Sequence, residues 1–291
     1  MNSNNHSQLK LAVQKNDVLL RDIHAAPVSD DLHIWWLGQS GFLCQSHGQH
    51  LLFDPYLSDS LSIKYADTDK PHVRMTERVI APSQLDMVDV VTSSHNHTDH
   101  LDAETLLPLA AANPSLVLVL PEANKKFATE RLKPSSIPME GLNTGSIRTI
   151  GGFEFTGITA AHNSIDRDDT GNSRFLGFVA KIGSWTLYHS GDTLWHAELV
   201  SELRSAGPID VMFLPINGNK PERRVAGNLN GTEAAALAKA CGAKLVIPCH
   251  YDMFTFNTET PEEFLAACSR LDQQARVMQN GQHIVLKRHE M

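Results

Sequence analysis

The sequence predicts a layered α/β fold in one domain, and three observations lead there. Short β-branched, apolar runs recur along the chain, segments with helical spacing alternate with them, and no low-complexity linker divides the 291 residues. Hydrophobic residues make up 42% of the chain, enough for a sizeable core. The expected division is an N-terminal extension over 1–30, with an amphipathic helix around 9–23, followed by a single domain over 31–291.

The elements follow in order. Residues 33–46 and 50–57 read as strands separated by a Gly/His turn, and 86–94 as a third. Residues 102–113 have helical spacing and stop at Asn-Pro. A buried strand is expected at 115–121 and a helix in "EANKKFATERLK". From 147 onward strands dominate, in "IRTIGGFEFTGITAAH", "FLGFVAKIG" and "WTLYHSG". A helix over 232–242 is expected to use Thr232 as its N-cap and Gly242 as its stop. "KLVIPCH" is a strand, Thr260-Pro261 opens a last helix, and "QHIVLK" closes the chain.

Bulk properties narrow the function. The net charge of −8 counts against a nucleic-acid partner. No apolar run approaches the ~20 residues that cross a bilayer, so no membrane partner is expected. The polar start "MNSNNHSQLK" lacks the apolar core of a signal peptide. Four cysteines, at 44, 241, 249 and 268, have no C-x-x-C spacing and suit reduced thiols in the cytoplasm. Neighbours on a strand face opposite ways, so in "VIPCH" Cys249 is expected in the core and His250 in a site.

The densest chemistry lies in "TSSHNHTDHLD". His95, His97, Asp99 and His100 crowd one loop straight after a strand. Imidazole and carboxylate are the donors that borderline divalent metals take. One ion cannot easily use them all, whereas two ions can, with His95 and His97 on one and Asp99 and His100 on the other. A pair needs further ligands, and three more apolar runs end in such residues: His162, Asp192 after a glycine turn, and His250. His189 is expected to pack or to support a ligand, and Trp35 and Trp36 to be core.

With these motifs in order, the sequence resembles the metallo-β-lactamase superfamily over about 33–286. The resemblance implies a four-layer αββα sandwich with the site along one edge. It implies His95, His97 and His162 on a first metal, Asp99, His100 and His250 on a second, and Asp192 bridging. Asp54 in "LLFDPYL" matches the family's early aspartate, which supports the cluster without being a ligand. "WWLG", "HNHTDHLD", "LYHSGDT" and "VIPCHYDMF" are similar to the branch containing L-ascorbate-6-phosphate lactonase. His162 is a departure from that lactonase, which lacks the histidine.

The expected cofactors are two divalent ions, zinc or manganese. The expected activity is hydrolysis by a metal-activated hydroxide, with Asp99 as ligand and proton acceptor. The expected substrate is a small anionic, phosphorylated lactone or ester, gripped by Arg223, Arg224 or Arg174. Homo-oligomer formation stays open. The alternatives are a phosphodiesterase of the N-acyl-phosphatidylethanolamine phospholipase D or ribonuclease Z type, and a non-catalytic metal-binding protein.

Overall fold

A computed structural model describes residues 9–290. A seven-stranded sheet has the order β13-β1-β2-β3-β4-β5-β6, built from β1 (Leu32–Gly38), β2 (Gly41–Ser46), β3 (Gln49–Phe53), β4 (Val90–Thr92), β5 (Val117–Pro121), β6 (Met139–Leu142) and β13 (His283–Leu286). A six-stranded sheet has the order β12-β11-β10-β9-β8-β7, from β7 (Ile147–Ile150), β8 (Phe153–Thr159), β9 (Leu176–Ile182), β10 (Trp185–His189), β11 (Val211–Pro215) and β12 (Leu245–Cys249).

The apolar runs are continuous because both faces of the first sheet are covered. Ile34, Trp36, Phe42, Cys44, Leu51 and Phe53 face the core shared with the second sheet. The intervening Trp35, Leu37, Leu43 and Leu52 face a second core, with Leu19 and Ile23 of α1 (Asn16–Ala25) and Leu106 and Leu109 of α3 (Ala103–Ala112). On the other side, α6 (Gly231–Cys241) and α7 (Glu262–Leu271) cover the second sheet with Leu237, Ala238, Phe264 and Ala267. The result is the αββα layering expected from the resemblance. Three shorter helices, α2 (Ser60–Lys64), α4 (Lys125–Arg131) and α5 (Leu199–Ser205), lie in the connections.

The first helix starts later than its apolar spacing predicts. Residues ahead of it spend their backbone groups on distant segments: Lys10 N donates to Met75 O, and Val13 N to Asn280 O. Positions 1–8 of the predicted extension lie outside the described residues. The strand predicted at 86–94 is only Val90–Thr92, because Val88 N donates to the Asn113 side chain instead of a ladder. Asn230, not Thr232, caps α6, in a reciprocal box with Glu233. Thr232 Oγ1 donates to Glu263 instead, and Gly242 ends the helix in the left-handed region at φ 69°.

The topology aims the site. Strands β3, β4, β5 and β6 run parallel, as do β10, β11 and β12, and β8 shares the direction of β10 because both are antiparallel to β9. The carboxyl ends of β3, β4, β8, β10 and β12 therefore open on one edge, the usual place for a ligand in such sheets.

Candidate metal centre

Each of those strand ends releases one of the predicted residues: Asp54 after β3, the 93–102 loop after β4, His162 beyond β8, Asp192 after β10 and His250 after β12. Gly191 makes the turn that delivers Asp192; its φ is 58°, and a Cβ there would lie 2.4 Å from the Ser94 Cβ. Cys249 points into the core, as the strand alternation requires.

The side chains converge in three overlapping sets whose donor atoms lie within 4.8 Å of one another: His95, His97 and His162; His95, His100 and Asp192; and Asp99, His100 and His250. Asp192 stands between them. Its Oδ1 is 3.3 Å from His100 Nε2, and its Oδ2 is 3.2 Å from His250 Nε2 and 3.7 Å from His162 Nε2.

On three of the rings the outward nitrogen has a partner, which fixes which nitrogen faces inward, whereas His250 Nδ1 is buried without one among the described residues. His162 Nδ1 donates to Gly227 O at 3.0 Å, and His100 Nδ1 donates to Asp54 Oδ2 at 2.7 Å. His95 Nδ1 lies 3.0 Å from Ser94 Oγ. Asp54 itself also accepts from Thr92 Oγ1 at 2.6 Å and from Ser94 N at 3.0 Å, so it carries the loop as well as the ring. His189 has neither nitrogen to spare: Nε2 donates to Ser40 O and Nδ1 accepts from Gly191 N, while the ring stacks on Phe53.

Electrostatics and satisfaction both fit a cation. His95 Nε2, His100 Nε2 and Asp192 Oδ1 are buried with no hydrogen-bond partner among the described residues, although such atoms rarely go unpaired. Burial, reinforced by the neighbouring imidazoles, holds His95 well below its ordinary pKa, and burial pushes His162 down to about 4. Those rings are neutral, the form that ligates metal. Burial also resists charge on His100 and His250, but Asp192 and Asp99 outweigh it and raise both. Burial likewise opposes ionisation of Asp192, yet His250 and His100 keep it well below the carboxylate range. A divalent ion would take over the role of those imidazolium protons, so its binding would release protons.

The centre opens into a cavity of about 400 Å³. His97, Asp99, His162, Asp192 and His250 form its floor. The arginines predicted for substrate are not on its wall. Arg223 is spent on Glu259, Asn217 O and Thr258 O, Arg224 pairs with Asp69, and Arg174 with Asp166. The cations that do line the cavity are Arg131 and Lys64. His72 lines it too, and Asp252 only pairs with Lys10. Gln39 was also missed: its Nε2 donates to Asp99 Oδ2 at 2.9 Å and lies 3.1 Å from His250 Nε2. The Gly38–Gly41 turn between two strands was its one sequence signal.

Fold and site together define a metallo-β-lactamase-type protein, and residues 33–250 match the beta-lactamase superfamily domain. The chain is 30% identical over 243 residues to a UPF0173 metal-dependent hydrolase of Rubrobacter xylanophilus, spanning 79% of this chain and 86% of that one. It is 29% identical over 264 residues to a UPF0173 metal-dependent hydrolase of Methanosarcina mazei, spanning 88% and 99%. The chain belongs to the metallo-β-lactamase superfamily and, within it, to the UPF0173 metal-dependent hydrolase family. Its fold is shared by Igni18, a metallo hydrolase from Ignicoccus hospitalis, at TM-score 0.65 and 20% identity over 88% of this chain and 99% of that one. It is shared too by an isothiocyanate hydrolase from Delia radicum gut bacteria, at TM-score 0.68 and 16% identity over 88% and 99%. No described helix is long and apolar enough to cross a membrane.

Proposed function

We propose that the chain is a binuclear metal-dependent hydrolase of a small anionic ester or lactone. The observation that carries this reading is the pair of ligand triads, His95–His97–His162 and Asp99–His100–His250, joined through Asp192 at the floor of an open cavity. Zinc or manganese bound there would supply Lewis acidity, drawing the pKa of water from about 15.7 toward about 7 and polarising the substrate oxygen.

The residues divide the remaining work. His95, His97 and His162 would hold a first ion, Asp99, His100 and His250 a second, and Asp192 would serve both. Gln39 fixes Asp99 through Oδ2 and leaves Oδ1 to accept the proton of the attacking water. Asp54 keeps His100 in the tautomer whose bare Nε2 faces Asp192 and is available to a metal. Phe254 and Phe256 give the cavity an apolar side. The lactone option rests on the sequence resemblance to the L-ascorbate-6-phosphate lactonase branch, and the anionic option on Arg131 and Lys64 at the cavity wall.

The test is removal of metal with a chelator, followed by assay on generic ester, lactone and phosphodiester substrates before and after zinc or manganese is restored. Metal-dependent turnover of an ester or lactone is expected. Turnover of the phosphodiester alone would favour the phosphodiesterase alternative, and silence on all three with metal restored would favour a binding protein.

A further inference from the structure

The cavity has two unlike walls, and both lie outside the metal set. On one wall, Arg131 at the end of α4 is half-buried, and no carboxylate pairs with it among the described residues. Its Nη1 donates to Asn96 O at 2.7 Å and Leu101 O at 3.1 Å, and its guanidinium lies 4.4 Å from the Phe127 ring centre. Its Nη2 and Nε make no hydrogen bond among the described residues. Bracing two carbonyls of the metal loop explains half of the fork and leaves the other half free. A guanidinium fixed in place, partly desolvated and in close ion-pair contact with no carboxylate, Asp102 acting on it only from farther off, is suited to two-point contact with an anion.

The other wall is made of rings. Tyr65 stacks on His72 at 4.2 Å and 19°, and Phe256 and Phe254 meet His72 edge-on at 4.5 and 5.1 Å. All four line the cavity. His72 Nδ1 donates to Lys70 O at 3.1 Å, which fixes the ring within this wall. Burial lowers its pKa, so the ring is neutral and adds apolar surface. Lys64, 5.1 Å from the Tyr65 ring centre, stands exposed at the mouth and adds positive potential to a chain of net charge −8.

We propose that the substrate is a small anion carrying a planar ring, its anionic group positioned by Arg131 and its ring laid against Tyr65, His72, Phe254 and Phe256. A cavity of about 400 Å³ limits the occupant to a small molecule. Ring walls favour offset or edge contacts with another flat group over an alkyl chain. The inference rests on the hydrolase reading for the word substrate, but the recognition it describes can be measured without turnover.

Calorimetric titration of the metal-loaded protein with benzenesulfonate, methanesulfonate and benzyl alcohol tests it, because sulfonates are weak metal ligands. Benzenesulfonate is expected to bind at least tenfold tighter than methanesulfonate. Arg131→Gln should weaken both sulfonates at least tenfold, leave benzyl alcohol unchanged and keep the metal content measured by elemental analysis. Arg131→Lys should retain part of the sulfonate affinity. Phe256→Ala should erase the advantage of the benzene ring and leave methanesulfonate unchanged. Equal weakening of all three probes, or loss of metal in both Arg131 variants, would reduce Arg131 to a brace of the loop and overturn the proposal. Equal affinity for the two sulfonates in the unmodified protein would also overturn it. If anionic ester, lactone and phosphodiester substrates all go unhydrolysed with metal restored while the probe pattern holds, the hydrolase reading fails and the recognition proposal stands.

Discussion

Asp54→Asn is the most informative single change near the centre. The side chain is fully buried and accepts from three donors, His100 Nδ1, Thr92 Oγ1 and Ser94 N, across both oxygens. A carboxylate only accepts, whereas a carboxamide has one accepting oxygen and one donating nitrogen. With the oxygen toward His100, it still accepts from Ser94 N, and the amide nitrogen faces Thr92 Oγ1, whose hydroxyl must turn to accept. With the oxygen toward Thr92 and Ser94, the amide nitrogen faces the His100 N–H. The first orientation weakens the charge-assisted bond to His100 and takes the acceptor from the Thr92 hydroxyl, and the second sets two buried donors against each other, at about 1–3 kcal/mol. The expected loss is about 1–3 kcal/mol of unfolding free energy, a sizeable part of a typical ~5–15 kcal/mol total. Metal affinity should fall about 10- to 100-fold, since His100 is no longer held by its outward nitrogen. Urea denaturation of the metal-free protein reads the first effect, and zinc competition against a chelator reads the second. Thr92→Val removes one donor to Asp54 and the acceptor of the Asp54 N–H but leaves His100 held, so it serves as the control: it should lose stability and keep its metal affinity. An Asp54→Asn variant that matches the parent in both midpoint and metal affinity would refute the claim that Asp54 orients the centre.

Three further outcomes are expected. Asp192→Ala should release at least one metal by elemental analysis, because its carboxylate faces His100, His162 and His250, whereas His189→Ala should lose stability by about 2–4 kcal/mol and keep its metal content. Burial resists ionisation of Asp210, yet Arg288, the Thr186 N–H and Lys244 outweigh it and lower its pKa, so its stabilisation is complete above the ordinary carboxylate range and is lost as pH falls through its depressed value. Asp210→Asn should therefore lower the melting temperature at pH 7 and narrow the gap to the parent under acid, and an equal gap at both pH values would contradict this.

The metal loop was legible because its donors are close in sequence: His95, His97, Asp99 and His100 crowd one strand end, and a solvated loop needs no such density. His162, Asp192 and His250 were legible for a related reason, each ending an apolar run. Cys249 and His250 followed from strand alternation alone. What the chain hid depends on convergence over long separations. Arg223 looked free because Glu259, its partner, lies 36 residues on. Gln39 reaches Asp99 across 60 residues, and Arg131 reaches the carbonyl of Asn96 across 35. Apart from the glycine turn around Gln39, none carries a local pattern that separates it from an ordinary surface polar residue. The first helix was overextended for the same reason, because residues ahead of Asn16 bond to Met75 and Asn280 instead of to a helical turn.

The most direct test is anomalous diffraction at the metal edge from crystals grown with zinc or manganese. Two peaks are expected. One should lie at about 2.0–2.2 Å from nitrogens of His95, His97 and His162, the other at similar distances from Asp99, His100 and His250, with Asp192 reaching both. Peaks absent from this floor, or held by other side chains while these seven point elsewhere, would contradict a binuclear centre here and the chemistry assigned to it.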